Sequence, residues 1–229
     1  MTRSMALGAR ITALRLAERR SWIWFVVAVL VCTLGASFMR EQGSPSAADM
    51  ALVHITFGLV VPLLAYLSFD AALAGQAFEQ AVNPLARHGG SGREAAVGAS
   101  FCVCVLLVGY GAALGALTVL VSRGGGDARV LADAWASSWI GAVAGLAYGA
   151  WYTLASTLGK RGGGRIGLLL TDWVLGASTG FLAVPFPRAH IRSLLGGTPA
   201  LDWSQTAGLV ALVLGSALAG SLGAARLRR

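Results

Sequence analysis

The stretch "AVGASFCVCVLLVGYGAALGALTVLV", residues 96–121, contains 26 residues and no charged side chain. An α-helix rises about 1.5 Å per residue, so a helix of this length exceeds the hydrocarbon core of a bilayer, which is roughly 30 Å thick. Backbone polar groups inside that core need internal partners, and a helix supplies them. We therefore predict that residues 96–121 form a transmembrane helix and that similar helices build the fold.

The rest of the chain has the same character. Hydrophobic residues make up 56% of the 229 residues and charged residues 12%, with a mean hydropathy of +0.69, whereas about a quarter of the residues in a soluble domain are charged. Five further apolar stretches are long enough to cross a bilayer: residues 21–39, 51–75, 134–158, 166–186 and 204–225. The sequence predicts an all-α, polytopic membrane protein whose single transmembrane domain, residues 1–229, has six spanning helices.

The basic residues predict the orientation, because Lys and Arg in short loops are retained on the cytoplasmic side. Most of the 18 basic residues fall on one side if both termini are cytoplasmic. The net charge of +8 then reflects topology and attraction to anionic lipid, and a nucleic-acid partner is not needed to explain it. Arg supplies 17 of the basic residues, a composition typical of GC-rich bacterial genes. We expect a protein of the bacterial inner membrane.

The segment before the first span is basic and contains scattered apolar residues. Ile11, Leu14 and Leu16 alternate with arginines, as they would in a helix lying at the membrane interface. A solvated basic tail is the alternative. The first span itself is longer than the apolar region of a secretory signal, so we predict that it is retained.

Small residues mark two of the predicted helices. Gly141, Gly145 and Gly149 recur every fourth residue in the fourth span, and Gly111 and Gly115 do so in the third. Such spacing places the glycines on one helix face and allows close helix contact. We predict packing within the bundle, with a subunit interface as the alternative.

Asp70 and Asp172 are the ionisable residues of interest inside the predicted spans, where charge is costly and often functional. Both are expected near the cytoplasmic ends of their spans. Structural partners are available: Ser68 or Tyr66 for Asp70, and Lys160, Arg161 or Arg165 for Asp172. The alternative is an ion or proton relay that also uses His54.

A nucleotide-hydrolysing P-loop is missing. That motif needs a glycine-rich turn followed by Lys and then Ser or Thr, but the pair Gly159–Lys160 is followed by Arg161, and Leu154 occupies the place of the first glycine. The cysteines all lie inside apolar spans and the histidines are scattered, so no metal site is predicted. We expect that the chain is not an enzyme and binds no cofactor itself.

The connection between the second and third spans, "FEQAVNPLARHGGSGREAAVG" at residues 78–98, is polar and predicted to be cytoplasmic. Pro84 and the turn at residues 89–92 divide it, so two short helical pieces are expected on either side of the turn. The connection resembles the coupling helix in the type-2 family of ATP-binding-cassette permeases. Residues 140–167 and 184–229 are similar to that family's fourth helix and to its outer connection, last helix and basic tail.

The resemblance implies six helices, cytoplasmic termini and a short helix that docks on a separate cytosolic ATPase, which carries ATP and Mg. It also implies a second permease subunit, either identical or related. The residues implied at the ATPase contact are Glu79, Leu85, Arg87, His88, Ser91, Arg93 and Glu94. Gln80 and Ala81 depart from the Gly-Thr that often follows the acidic residue in the family, and Gly89 stands where proline is usual.

The functional hypothesis is therefore a permease subunit that couples ATP hydrolysis by a partner to export or to mechanical work. Two alternatives remain open. One is an ion-coupled carrier that uses Asp70 and Asp172; the other is a membrane scaffold that transports nothing.

Overall fold

The computed structural model describes residues 2–43, 46–87, 90–124 and 129–227, without the side chains of residues 85–87 and 160. The described part of the chain is helical and contains no strand. Its helices are α1 (Arg3–Glu18), α2 (Trp22–Glu41), α3 (Ala47–Ala72), α4 (Phe78–Arg87), α5 (Gly92–Arg123), α6 (Val130–Ala155), α7 (Gly163–Val174), α8 (Pro187–Leu194) and α9 (Gln205–Arg226). Short 3-10 turns at Lys160–Gly162 and Phe181–Ala183 precede α7 and α8.

Five of these helices, α2, α3, α5, α6 and α9, are long and apolar enough to cross a membrane. They match the spans predicted at residues 21–39, 51–75, 96–121, 134–158 and 204–225. The prediction of an all-helical, multi-pass membrane protein is confirmed at this level. The longest helix, α5, has 32 residues and is about 48 Å long, so it extends beyond the hydrocarbon core.

The predicted fifth span at residues 166–186 is not one helix. Helix α7 ends at Val174 after 12 residues, which gives about 18 Å, too short to cross the roughly 30 Å core. The chain then turns through Gly180, whose φ is +99°, and Pro187 begins the separate helix α8. Hydropathy alone cannot separate one spanning helix from a short helix followed by a turn, because it records which residues are apolar and not which backbone hydrogen bonds they form.

Helix α3 is distorted around Pro62. The proline ring would clash with the carbonyl of Gly58, four residues earlier, and proline lacks the amide hydrogen that would bond it. The sequence therefore predicts a kink, and the structure has a π-helix over Ala51–Val60 directly before Pro62. The amide of Val61 bonds the carbonyl of Thr56, five residues back. The Tyr152 hydroxyl donates to the Pro62 carbonyl at 3.2 Å, which holds the distorted segment against α6.

Helices α5 and α6 touch along their glycines. A side-chain carbon added at Gly111 would lie 2.1 Å from the carbonyl oxygen of Gly141, and one at Gly145 would lie 2.2 Å from that of Leu107. Gly115 and Gly149 are buried on the same contact. The two backbones therefore meet directly, which only residues without a β-carbon permit at these positions.

Helix α1 packs across the beginning of α5. A side-chain carbon at Gly8 would lie 2.1 Å from the Ala95 carbonyl oxygen, and one at Gly98 would lie 2.0 Å from that of Met5. Leu16 is buried, whereas Leu14 is exposed. The segment is thus a helix docked on the bundle, with one face uncovered.

Several helix ends meet at one end of the bundle, which we call the α4 end. It contains α1, α4, the beginnings of α5 and α7, and the ends of α3, α6 and α9. The opposite end contains the end of α2 and the beginnings of α3, α6 and α9. The predicted ATPase-contact residues that the structure describes all lie at the α4 end; His88 lies outside the described residues.

We predict that Gly145→Ala destabilises the protein by about 1–3 kcal/mol, because the added methyl group overpacks a backbone contact. Gly109→Ala is the matched control: it makes the same change on α5, where nothing lies within 4 Å of the added carbon. The unfolding temperature of the purified protein in detergent measures both effects. Equal unfolding temperatures for the two variants would contradict the close packing of α5 and α6.

Candidate functional site

Helix α4 has one face against the bundle and one face uncovered. Phe78 and Ala81 are buried and belong to the main hydrophobic core. Among the helix residues whose side chains are described, 78–84, the exposed ones are Glu79, Gln80, Asn83 and Pro84. This division follows the 3.6-residue period of an amphipathic helix. The uncovered polar face is available to another molecule.

The beginning of α4 is attached to α6 and α7. The amide of Phe78 donates to the carbonyl of Ser156, just beyond the end of α6, at 3.2 Å. Two residues before α4, the carbonyl of Gln76 accepts a hydrogen bond of 2.8 Å from Nη1 of Arg165 on α7. A displacement of α4 therefore acts directly on both helices.

Arg165 is the most unusual residue at this end of the bundle, because its side chain is only 1% exposed. Its Nη2 lies 2.9 Å from Oδ1 of Asp70, near the end of α3. A buried charge is stable only when it is paired and hydrogen-bonded. The guanidinium thereby joins α3, α7 and the residues that lead into α4.

The connection from α4 to α5 is attached to α1. The Ser91 hydroxyl caps α5 by accepting from the amide of Glu94 at 3.3 Å. The amide of Ser91 donates to the Ser4 hydroxyl at 3.3 Å, and the Thr2 hydroxyl donates to the Glu94 carboxylate at 2.7 Å. Helix α1 and the beginning of α5 therefore form one unit.

The residues implied at an ATPase contact fall into three groups. Glu79 and Arg93 are exposed at the α4 end. Ser91 and Glu94 bind α1 and cap α5, so they have structural roles. Leu85 and Arg87 belong to the last turn of α4, of which only the backbone is described, and His88 lies outside the described residues.

Asp70 and Asp172 have different partners from those the sequence suggested. Asp70 pairs with Arg165. Asp172 is 1% exposed; it accepts from the Tyr148 hydroxyl at 2.8 Å and from the amide of Arg188 at 3.2 Å. Arg165 and Asp172 are seven residues apart on α7, which separates them by about 10 Å along the helix. They cannot form the pair that was considered from the sequence.

Sequence reasoning missed Arg165 as a site residue. An arginine in the first turn of an apolar helix, on the same predicted side as Asp70, was the signal that could have identified it. Nothing in the sequence indicated the roles of the Gln76 and Ser156 carbonyls as hydrogen-bond acceptors. Every residue carries a carbonyl, and only the fold determines which carbonyls accept a hydrogen bond from Arg165 or from α4.

No group of three or more His, Cys, Asp or Glu residues within the described ranges is arranged to hold a metal ion. The three cysteines are free, Cys32 being buried and Cys102 and Cys104 partly so. The α4 end therefore has a polar surface that is linked by hydrogen bonds and an ion pair to α3, α6 and α7. A scan against models of protein families finds no match, and a comparison with curated proteins finds none either.

We predict that Asp70→Asn lowers the free energy of unfolding by about 1.5–3 kcal/mol, because Arg165 then keeps its charge in a buried position without a carboxylate. The control is Asp133→Asn. Asp133 pairs with Arg123 at 2.7 Å, and its side chain is 38% exposed, as is that of Asp70, but Arg123 is 34% exposed.

Because both partners of the control pair are accessible to solvent, we expect a loss of only about 0–1 kcal/mol there. Thermal or denaturant unfolding of the two purified variants measures the difference. If Asp70→Asn lowers the free energy of unfolding no more than Asp133→Asn does, the ion pair between Arg165 and Asp70 does not stabilise the protein.

Proposed function

We propose that the chain is the membrane-spanning permease subunit of a type-2 ATP-binding-cassette transporter in a bacterial inner membrane. In this proposal a separate cytosolic ATPase, with ATP and Mg bound, docks on the exposed face of α4. The observation that carries the proposal is that α4 presents a polar face to solvent while its beginning is hydrogen-bonded to α6 and α7. A plain surface loop needs neither feature.

The proposed mechanism is a shift between two arrangements of the helices. ATP binding favours the closed state of the ATPases, and their movement displaces α4. The bond from Phe78 to Ser156 passes this displacement to α6. The contacts of Arg165 with Gln76 and Asp70 pass it to α7 and α3. The permease itself breaks no covalent bond.

Helix α1 has a supporting role in this mechanism. Through Thr2 and Ser4 it is bonded to the beginning of α5, and through Arg15 it is bonded to the carbonyl of Ala72 at the end of α3. These contacts hold the two helices that flank α4 in a fixed relation. In the proposal α3 and α5 therefore move together when α4 is displaced.

The proposal includes a second permease subunit, identical or related, and contact with lipid. The uncovered apolar side chains are large and numerous, for example Leu131, Trp135 and Phe181, at 74–79% exposure. Apolar surface of this extent needs lipid or a protein partner to cover it. The outer connection from Pro185 to Trp203, which includes α8, is the proposed exit region of the complex.

We predict that a photo-crosslinking amino acid at position 83 captures a cytosolic ATPase in cells. Asn83 lies on the exposed face of α4, so a docked partner comes within reach of it. Gln42, exposed just beyond α2 at the opposite end of the bundle, is the control position. Mass spectrometry identifies the captured protein, and purified permease is then added to that protein to measure stimulation of ATP hydrolysis.

The proposal requires capture at position 83 but not at position 42, together with stimulated hydrolysis. Capture of a protein that does not hydrolyse ATP, or equal capture at both positions, would contradict it.

The same two positions test the orientation. We expect an Asn83→Cys variant to react with a membrane-impermeant maleimide only after the cells are opened, whereas Gln42→Cys reacts in intact cells. The expectation follows from the excess of basic residues on the side that includes α4. Gel-shift labelling on a background without the native cysteines measures it, and labelling of Asn83→Cys in intact cells would rule out a cytosolic partner on α4.

A further inference from the structure

A second polar site lies away from the α4 end, in a cavity of about 120 Å³ between α8 and the π-helical part of α3. We call it the α8 recess. Its apolar lining includes Val53, Phe57 and Ile191, and its basic lining consists of His54, Arg188 and Arg192. The volume suits a small charged group rather than a whole cofactor.

The two arginines are four residues apart on α8, so both side chains leave the same face of the helix. Arg192 is held in place by hydrogen bonds to the carbonyls of Ala177, Ser178 and Thr198. Arg188 donates to the Trp173 carbonyl from Nη1 at 3.1 Å. Its Nη2 faces α3, 3.2 Å from the position that a side-chain carbon on Gly58 would take.

Among the described residues around the recess, positively charged side chains outnumber negatively charged ones. The carbonyls that accept from the two arginines carry only partial negative charge. The carboxylate beside Arg188 belongs to Asp172, and its two oxygens accept hydrogen bonds from the Tyr148 hydroxyl and from the Arg188 amide. Burial lowers the pKa of His190, the neighbouring histidine on α8, so that ring adds no charge at neutral pH. Among the described residues, two guanidinium groups and one carboxylate thus lie at or beside the recess, and positive charge that is not fully compensated is costly next to its apolar lining.

The depth of the recess indicates what kind of anion would reach it. Val53 and Phe57 lie six and ten residues from the beginning of α3 at Ala47, which places them roughly 10–15 Å along the helix from that end. His54 lines the recess and is exposed, and Leu59, one turn further along α3, is an exposed apolar residue. An anion attached to an apolar chain matches this position better than a free ion in water.

We propose that the α8 recess binds the phosphate group of an anionic amphiphile. Guanidinium groups suit phosphate, because their planar forks donate in pairs to its several oxygens. Within the described part of the chain Nη2 of Arg188 has no hydrogen-bond acceptor, and the fixed Arg192 supplies a second positive charge one turn away. This binding site follows from the fold and does not depend on the proposed permease function. It can therefore be tested without an ATPase and without a transport assay.

The test measures the binding of dioctanoyl phosphatidylglycerol to the purified, delipidated protein by native mass spectrometry in a non-ionic detergent. Inorganic phosphate is the second probe. We expect Arg188→Gln to weaken lipid binding at least about tenfold, as the loss of a charge-assisted hydrogen bond implies. Arg40→Gln, which removes an exposed arginine at the end of α2, is the control and should change the affinity less than about twofold.

Ala177→Leu is a second variant that changes no charge. Ala177 lines the recess and is exposed, so the larger side chain fills the cavity without disturbing a packed core. We expect it also to weaken lipid binding at least about tenfold, which keeps the test valid if Arg188→Gln fails to fold.

Unchanged lipid binding in the folded recess variants would overturn the proposal. A second result would also overturn it: inorganic phosphate binds in a way that depends on Arg188, but the lipid does not bind. The ligand of the recess would then be a soluble phosphate.

Discussion

The direct backbone contact between α5 and α6 is the constraint on which the rest of the structure depends. Apolar attraction alone does not select one helix pair in lipid, because the lipid chains are as apolar as the side chains; close packing and internal hydrogen bonds do so. Glycines on both helices permit that packing here. Helices α1 and α2 then pack on α5, and α9 packs on α6. The long helix α5 also carries the connection from α4.

One buried arginine, Arg165, and two partly buried ones, Arg188 and Arg192, arrange the segment from α7 to α8. Arg165 pairs with Asp70 and with a carbonyl before α4, and this sets where α7 begins. Arg188 and Arg192 donate to carbonyls around the turn between α7 and α8, and Asp172 binds the beginning of α8. A charged group in an apolar region must find such partners, so each arginine determines the course of the chain next to it. The proposed coupling route and the proposed phosphate site both use these groups.

Much of the candidate site was visible in the sequence, but its connections were not. The polar composition and the turn residues predicted a polar connection with short helical pieces at residues 78–98, but the expected division at Pro84 is wrong, because α4 runs through Pro84 to Arg87. The resemblance implied Ser91 and Glu94 at a partner contact, and what the sequence did not indicate is that both also bond to α1 and form the cap of α5. Asp70 was recognised as a polar residue in a span, but its partner Arg165 is 95 residues away in the chain. Local patterns carry no information about such distant pairs.

The sequence by itself determined the helical class, the positions of five spanning helices and the face on which the glycines lie. Those properties follow from hydropathy and from helical periodicity, which are local and act on every residue in the same way. Only the tertiary structure decided that residues 166–186 form the rest of α7 and a turn that leads to α8, and that Pro62 follows a π-helical segment and accepts a hydrogen bond from Tyr152. The physical reason is that buried charges and proline-distorted backbone are stabilised by particular atoms on other helices, and the fold alone brings those atoms into contact.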